Sequence, residues 1–178
     1  MLAAWGSIFK QLPTSRLRLQ GAGFTEPETR HDILLRLADV GIPKERILLS
    51  ESTPRLEYLK SHAEVDIILD SFPYPGGTTT CDALWMGVPT VTLLGNTMLS
   101  RQGVSLLTCA GLEDWIAEDK QKYVTIAVSK AQGAERLLNL RATLRSQVFA
   151  SPLFDAPGFA KSLEVALFAM VQDKILAR

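Results

Sequence analysis

Residues 66–82 read DIILDSFPYPGGTTTCD, and the order of residue types along this stretch decides the fold. Ile67, Ile68 and Leu69 form an unbroken apolar core between two aspartates, the pattern of a strand buried on both faces of a parallel sheet. A loop rich in proline and glycine follows, Ser71–Gly77, and a helix then opens at Thr78-Thr79-Thr80 and runs to Gly87. In open α/β sheets ligands bind beyond the carboxyl ends of the strands, where such loops lie. Gly76 and Gly77 carry no Cβ, so the backbone there can approach a ligand closely. The helix start behind them offers unpaired amides and the positive end of a dipole, which suit a diphosphate. Threonine hydroxyls add donors, and Asp82, one turn into the helix, can accept from ribose hydroxyls. The same residues also read as a turn and an N-cap with exposed threonines, and spacing alone does not choose between the two.

Outward from this stretch, helical and strand periods alternate. Leu2, Trp5, Ile8, Phe9 and Leu12 recur at helical spacing until Pro13, and Arg16–Gln20 then alternates as a short strand. Thr25 and Glu28 read as a capping box for a helix whose face is Ile33, Leu34, Leu37 and Val40 and which stops at Gly41. Arg46–Ser50 is a second short strand, and Thr53-Pro54 opens another helix with proline in its first turn. Pro89–Leu94 is a buried-type strand. Helices are expected over Ser100–Ala110, over Glu113–Lys130 with a break, and over Ala134–Val148. A last one runs from Asp155, with Phe159, Leu163, Ala166, Leu167 and Met170 on its apolar face. Strands separated by helices of this length imply right-handed crossovers and a mostly parallel sheet with helices on both faces. Residues 1–178 therefore read as a single Rossmann-like α/β domain.

Composition narrows the partners. Nineteen basic residues balance nineteen acidic ones, which argues against nucleic acid, whose backbone demands a basic face. Cys81 and Cys109 read as free thiols rather than a disulfide or a metal site. Met1–Leu12 lacks the charged region and cleavage site of a signal peptide, and Val165–Val171 is too short to span a bilayer, so no membrane partner and a cytoplasmic location are expected. No GxxxxGK[ST] phosphate loop and no metal-ligand spacing occurs, and His31 and His62 read as solvated helix residues.

The run Asp66–Gly95, DIILDSFPYPGGTTTCDALWMGVPTVTLLG, resembles the donor-site segment of O-GlcNAc transferases, glycosyltransferase family 41, and their bacterial relatives with tetratricopeptide repeats. The similarity continues through Ser100-Arg101, Leu106–Cys109, Gly111–Ala117 and Ser151–Phe154. The resemblance implies the C-terminal, nucleotide-sugar-binding lobe of a GT-B fold. It also implies an inverting transfer of N-acetylglucosamine from UDP-GlcNAc to protein serine or threonine, with no metal and no cofactor beyond the UDP-sugar substrate. Thr78 and Thr79 match the paired threonines that hold the diphosphate, and Asp82 matches the ribose-binding aspartate. Gly77 stands where the family often has histidine. Pro54-Arg55 stands where it has proline and lysine, and Tyr58 where it has a second histidine. Arg55 reads either as a phosphate grip or as a solvated charge, and Tyr58 either as a uracil contact or as a half-buried helix residue.

Relative to the family, the chain starts after the first strand of the lobe, which is central in the order 3-2-1-4-5. Three outcomes are open: a gap between the Arg16 and Asp66 strands, direct pairing across it, or a strand borrowed from another copy in a homodimer. No residue is assigned a catalytic role. The resemblance places the acceptor site and the proposed catalytic histidines in another lobe, so this chain alone is expected to be inactive. Another GT-B transferase, or a non-catalytic remnant serving as a binding or assembly module, would share the same sequence features.

Overall fold

The computed structural model describes residues 1–176 and contains five strands and eight helices of α type among them. Helix α1 (Leu2–Gln11) ends before Pro13, which can neither donate nor continue the helix. Strand β1 (Leu17–Gln20), helix α2 (Pro27–Asp39), strand β2 (Ile47–Ser50) and helix α3 (Arg55–Ser61) complete the first half. The second half comprises β3 (Ile68–Leu69), α4 (Thr78–Trp85), β4 (Thr90–Leu93), α5 (Gln102–Cys109), β5 (Ile116–Ala117), α6 (Lys120–Gln132), α7 (Ala134–Phe149) and α8 (Ala156–Leu176).

Every strand pair is parallel, as the crossovers require. β1 pairs with β2 in the register Leu17 to Ile47, and β3, β4 and β5 form a second sheet in that order. β1 and β3 do not pair with each other. Of the two outcomes that a single chain can show, a gap or direct pairing, this chain shows the gap. The two sheets are held together instead by helices, above all α1 against α6, around a common core that includes Trp5, Ile8, Leu37, Leu84, Val91 and Tyr123. Gly41 ends α2 with φ of 84°, a left-handed conformation that glycine adopts without strain.

Several local expectations are corrected. Thr25 does not cap α2: its hydroxyl donates back to the Ala22 carbonyl and closes a 3-10 turn, Ala22–Thr25, while Glu26 takes the cap position without a side-chain bond. Pro54 is the N-cap of α3 rather than its first helical residue. The strand expected over Asp66–Asp70 shrinks to two residues, and its apolar side chains are half-buried, because one edge faces the gap. The break expected within Glu113–Lys130 is the strand β5, too short to show a period of its own. The apolar face expected on the last helix is not buried: Phe159, Leu163, Leu167 and Met170 are all exposed, and α8 touches little beyond the turn Pro152–Phe154. Among the described residues, no helix is long and apolar enough to cross a membrane.

Leu84 is fully buried where α4 meets the core. Leu84→Ala should cost about 2–5 kcal/mol, the usual penalty for lost transfer energy plus a residual cavity, and lower the urea midpoint accordingly. An unchanged midpoint would show that α4 is not part of the cooperative core.

Candidate functional site

β3 delivers Asp70 to the carboxyl edge of the second sheet. Its main-chain amide donates to the Val91 carbonyl at 2.9 Å and keeps the residue in the ladder. Its side chain is buried and faces the loop. Oδ1 accepts the Gly76 amide at 2.7 Å, and Oδ2 accepts the Thr92 hydroxyl at 2.8 Å. The Asp70 carbonyl accepts the hydroxyl of Tyr123, a fully buried residue of α6, at 2.9 Å. One aspartate thereby ties strand, loop and helix layer together. Burial pushes the Asp70 carboxyl above its ordinary value, and the Gly76 amide and Thr92 hydroxyl pull in the opposite direction.

The two glycines carry a protein-internal constraint. A Cβ at Gly76 would lie 2.6 Å from the hydroxyl oxygens of both Thr79 and Thr80, and one at Gly77 would lie 3.1 Å from Gln102 Oε1. The Gly76 amide is committed to Asp70. Close approach at Gly76 is thus made by the loop to its own helix, a constraint the sequence reading did not foresee. Gly103 plays the same part below it, since a Cβ there would meet Thr92 Oγ1 at 2.4 Å and Asp70 Oδ2 at 2.7 Å.

α4 starts at Gly77 with no side-chain cap. The amides of Thr80 and Cys81 donate to the Gly77 carbonyl, so those of Thr78 and Thr79 precede the first helical bonds. Thr78 and Thr79 are exposed and Thr80 is buried. Two of the three threonines, not all three, are exposed.

Asp82 lies one turn further on and is 8% exposed. Arg55, the first residue of α3, meets it in a two-pronged ion pair, Nη1 to Oδ2 and Nη2 to Oδ1, both at 2.6 Å. The guanidinium is therefore ion-paired, while most of the Arg55 side chain stays exposed. It also lies 5.9 Å from the Tyr58 ring centroid, and burial raises the Tyr58 pKa. Tyr58 in turn meets His62 edge-on at 4.9 Å, and His62 Nδ1 lies 3.0 Å from the Tyr58 carbonyl. His62 is buried, not solvated as expected, whereas His31 is exposed. Both cysteines are free.

The structure therefore gathers Thr78, Thr79, Asp82, Arg55 and Tyr58 around the start of α4. Asp70, Thr92 and Gln102 join them without having been singled out. Asp70 had a legible signal, an aspartate closing an apolar strand before a glycine loop. Thr92 and Gln102 had none, since only the fold brings them to that aspartate and that glycine.

Parallel sheets flanked by helices, with this edge at their carboxyl ends, define a Rossmann-like α/β lobe. The glycosyl transferase family 41 model matches residues 1–163, and the chain belongs to that family. It is 36% identical over 93% of its length to a probable UDP-N-acetylglucosamine–peptide N-acetylglucosaminyltransferase, SPINDLY, of Arabidopsis thaliana. It is 30% identical over 95% of its length to a UDP-N-acetylglucosamine–peptide N-acetylglucosaminyltransferase of Caenorhabditis elegans. It covers 18% of the first of these and 14% of the second, a small part of either. A solved structure of a Thermobaculum terrenum O-GlcNAc transferase mutant superposes with a TM-score of 0.91 at 36% identity, over 97% of this chain and 33% of that one.

Because burial raises the folded-state pKa of Asp70 above its ordinary 3.8, the folded protein holds that proton more tightly than the unfolded chain. The contribution is complete below the ordinary value and is lost as pH rises through the raised one. The stability difference between the parent and Asp70→Asn should therefore shrink as pH climbs from about 3 to about 7, read as urea midpoints. A difference that grows over that range would contradict the assignment.

Proposed function

We propose that residues 1–178 form the donor-binding lobe of a protein O-GlcNAc transferase, with the start of α4 as the nucleotide cradle. The reading is carried by one arrangement: two exposed threonines at an uncapped helix start, one turn from a buried aspartate held by an arginine. Thr78 and Thr79 precede Asp82 by four and three residues, so all three lie along one side of α4, about 5–6 Å apart. That spacing matches the step from a diphosphate to the ribose attached to it. The helix start supplies amides and positive potential to the phosphates, and the two hydroxyls add donors. These groups, with Arg55 nearby, neutralise the diphosphate without a metal ion.

Asp82 receives the ribose. Each carboxylate oxygen has a second lone pair, so a ribose hydroxyl can donate to Asp82 while the Arg55 fork stays closed. The fork then holds the acceptor in one orientation. Tyr58, beside it, offers a ring face to the base. Uracil and N-acetylglucosamine are proposed from the names that the family relatives carry. Gly76 and Gly77 shape the loop, and without Cβ atoms their backbone also lies open to the nucleotide.

Titration calorimetry with UDP checks this reading. Thr79→Ala and Asp82→Ala should each weaken binding by about 10–100-fold, the loss expected for a hydrogen bond involving a charged partner. Isotherms indistinguishable from the parent would remove the cradle. The acceptor-side base is proposed to lie in another lobe, so the 178-residue chain with radiolabelled UDP-GlcNAc and acceptor peptide should give no label transfer. Transfer by this chain alone would refute that division of labour.

A further inference from the structure

Helix α5 follows β4 and brings its first residue, Gln102, back to the start of α4. A Cβ placed on Gly77 would lie 3.1 Å from Gln102 Oε1 and 3.2 Å from both Cδ and Nε2. The carboxamide thus stands beside the point where a side chain of Gly77 would begin. Gly77 is the N-cap of α4, and a side chain there would ordinarily accept one of the orphan amides of the helix start. Gln102 stands in that place without acting as a cap. The neighbouring bonds end elsewhere, the Gly76 amide and the Thr92 hydroxyl on Asp70 and the Thr97 amide on Ser100. Among the described residues, none reaches the Gln102 carboxamide.

The turn that carries Gln102 is fixed from both sides. Gly103, the next residue of α5, is packed so closely that a Cβ there would run into Thr92 and Asp70. On the other side Ser100 is buried, accepts the Thr97 amide at 2.9 Å and fills the space that a Cβ at Gly95 would need. Gln102 itself is exposed. Its two polar atoms are therefore held at the uncapped start of α4 and are open to whatever binds there.

The order of groups along α4 decides which part of a ligand meets them. On the nucleotide reading, on which this inference rests, Asp82 takes the ribose and Thr78 and Thr79 take the diphosphate. The ligand then runs toward the N-terminus of α4. Gly77 lies beyond both threonines, about 7.5 Å along the axis from Asp82. The group that leaves the diphosphate at that end is the sugar. Hydrogen-bond chemistry agrees with the position. Phosphate oxygens only accept, and the helix start already offers them amides and hydroxyls. A sugar hydroxyl both donates and accepts, which a carboxamide can match with Oε1 and Nε2.

We propose that Gln102 is a specificity-determining residue of the donor site, hydrogen-bonded to a hydroxyl of the sugar that a nucleoside diphosphate carries and not to the nucleotide. Titration calorimetry on the 178-residue chain compares UDP with UDP-GlcNAc for the parent, Gln102→Met and Gln102→Ala. Methionine keeps the length that packs beside Gly77 and removes both polar atoms. Alanine only shortens an exposed side chain, and carries the comparison if methionine disturbs the turn. Each variant should bind UDP within about twofold of the parent and UDP-GlcNAc about 3–10-fold more weakly, the loss of one neutral hydrogen bond. Equal losses for the two ligands would make Gln102 a brace of the helix start, and undiminished UDP-GlcNAc binding would mean that it touches no sugar. Either result overturns the proposal while leaving the cradle intact. Failure of the cradle looks different: the parent would bind UDP no better than Thr79→Ala, and the role of Gln102 would fall with it.

Discussion

The buried carboxylate of Asp70 is the constraint on which the rest of the candidate site depends. A charged group taken out of water needs donors, and this one has two, the Gly76 amide and the Thr92 hydroxyl. Those bonds fix where the Ser71–Gly77 loop returns to the sheet and hence where α4 begins. The packing around them leaves no room for error. Gly103 must lack a Cβ to let α5 lie against Asp70 and Thr92, and Gly76 must lack one to let the threonines of α4 close over it. Move the carboxylate, and the helix start that presents Thr78 and Thr79 moves with it.

A second link joins the two halves of the chain. Arg55 belongs to the β2–α3 unit and Asp82 to the β3–α4 unit, yet they form one two-pronged pair. Within the second half, Arg141 of α7 donates to the Val65 carbonyl just before β3. Together with α1 on α6, the Arg55–Asp82 pair holds two sheets that share no ladder bond. Side chains and helix packing do here what strand pairing does in a continuous sheet.

Much of the fold was legible because burial leaves a period in the sequence. The α1 stripe of Trp5, Ile8 and Phe9, the Gly41 stop, and the buried strand before Leu94 all emerged as read, since each depends on local sterics and on which face meets the core. Where the local signal was weak or ambiguous, tertiary geometry overrode it. Thr25 turned back to Ala22 instead of capping α2, because the 3-10 turn before the helix used its hydroxyl first. The apolar run at Ile67–Leu69 was read as buried on both sides, but burial requires a neighbour on each edge, and β3 has only β4.

The candidate site divides along the same line. Sequence by itself determined the βα order, the glycine loop, the helix start with its threonines, and membership of a glycosyltransferase family, because these are properties of consecutive residues. Only the tertiary structure decided that Arg55 is bound to Asp82, that Gly76 serves the loop's own packing, that His62 is buried, and that Asp70 anchors the edge. Each of those facts is a contact between residues distant along the chain or a matter of which volume is already filled. A one-dimensional pattern carries no record of either.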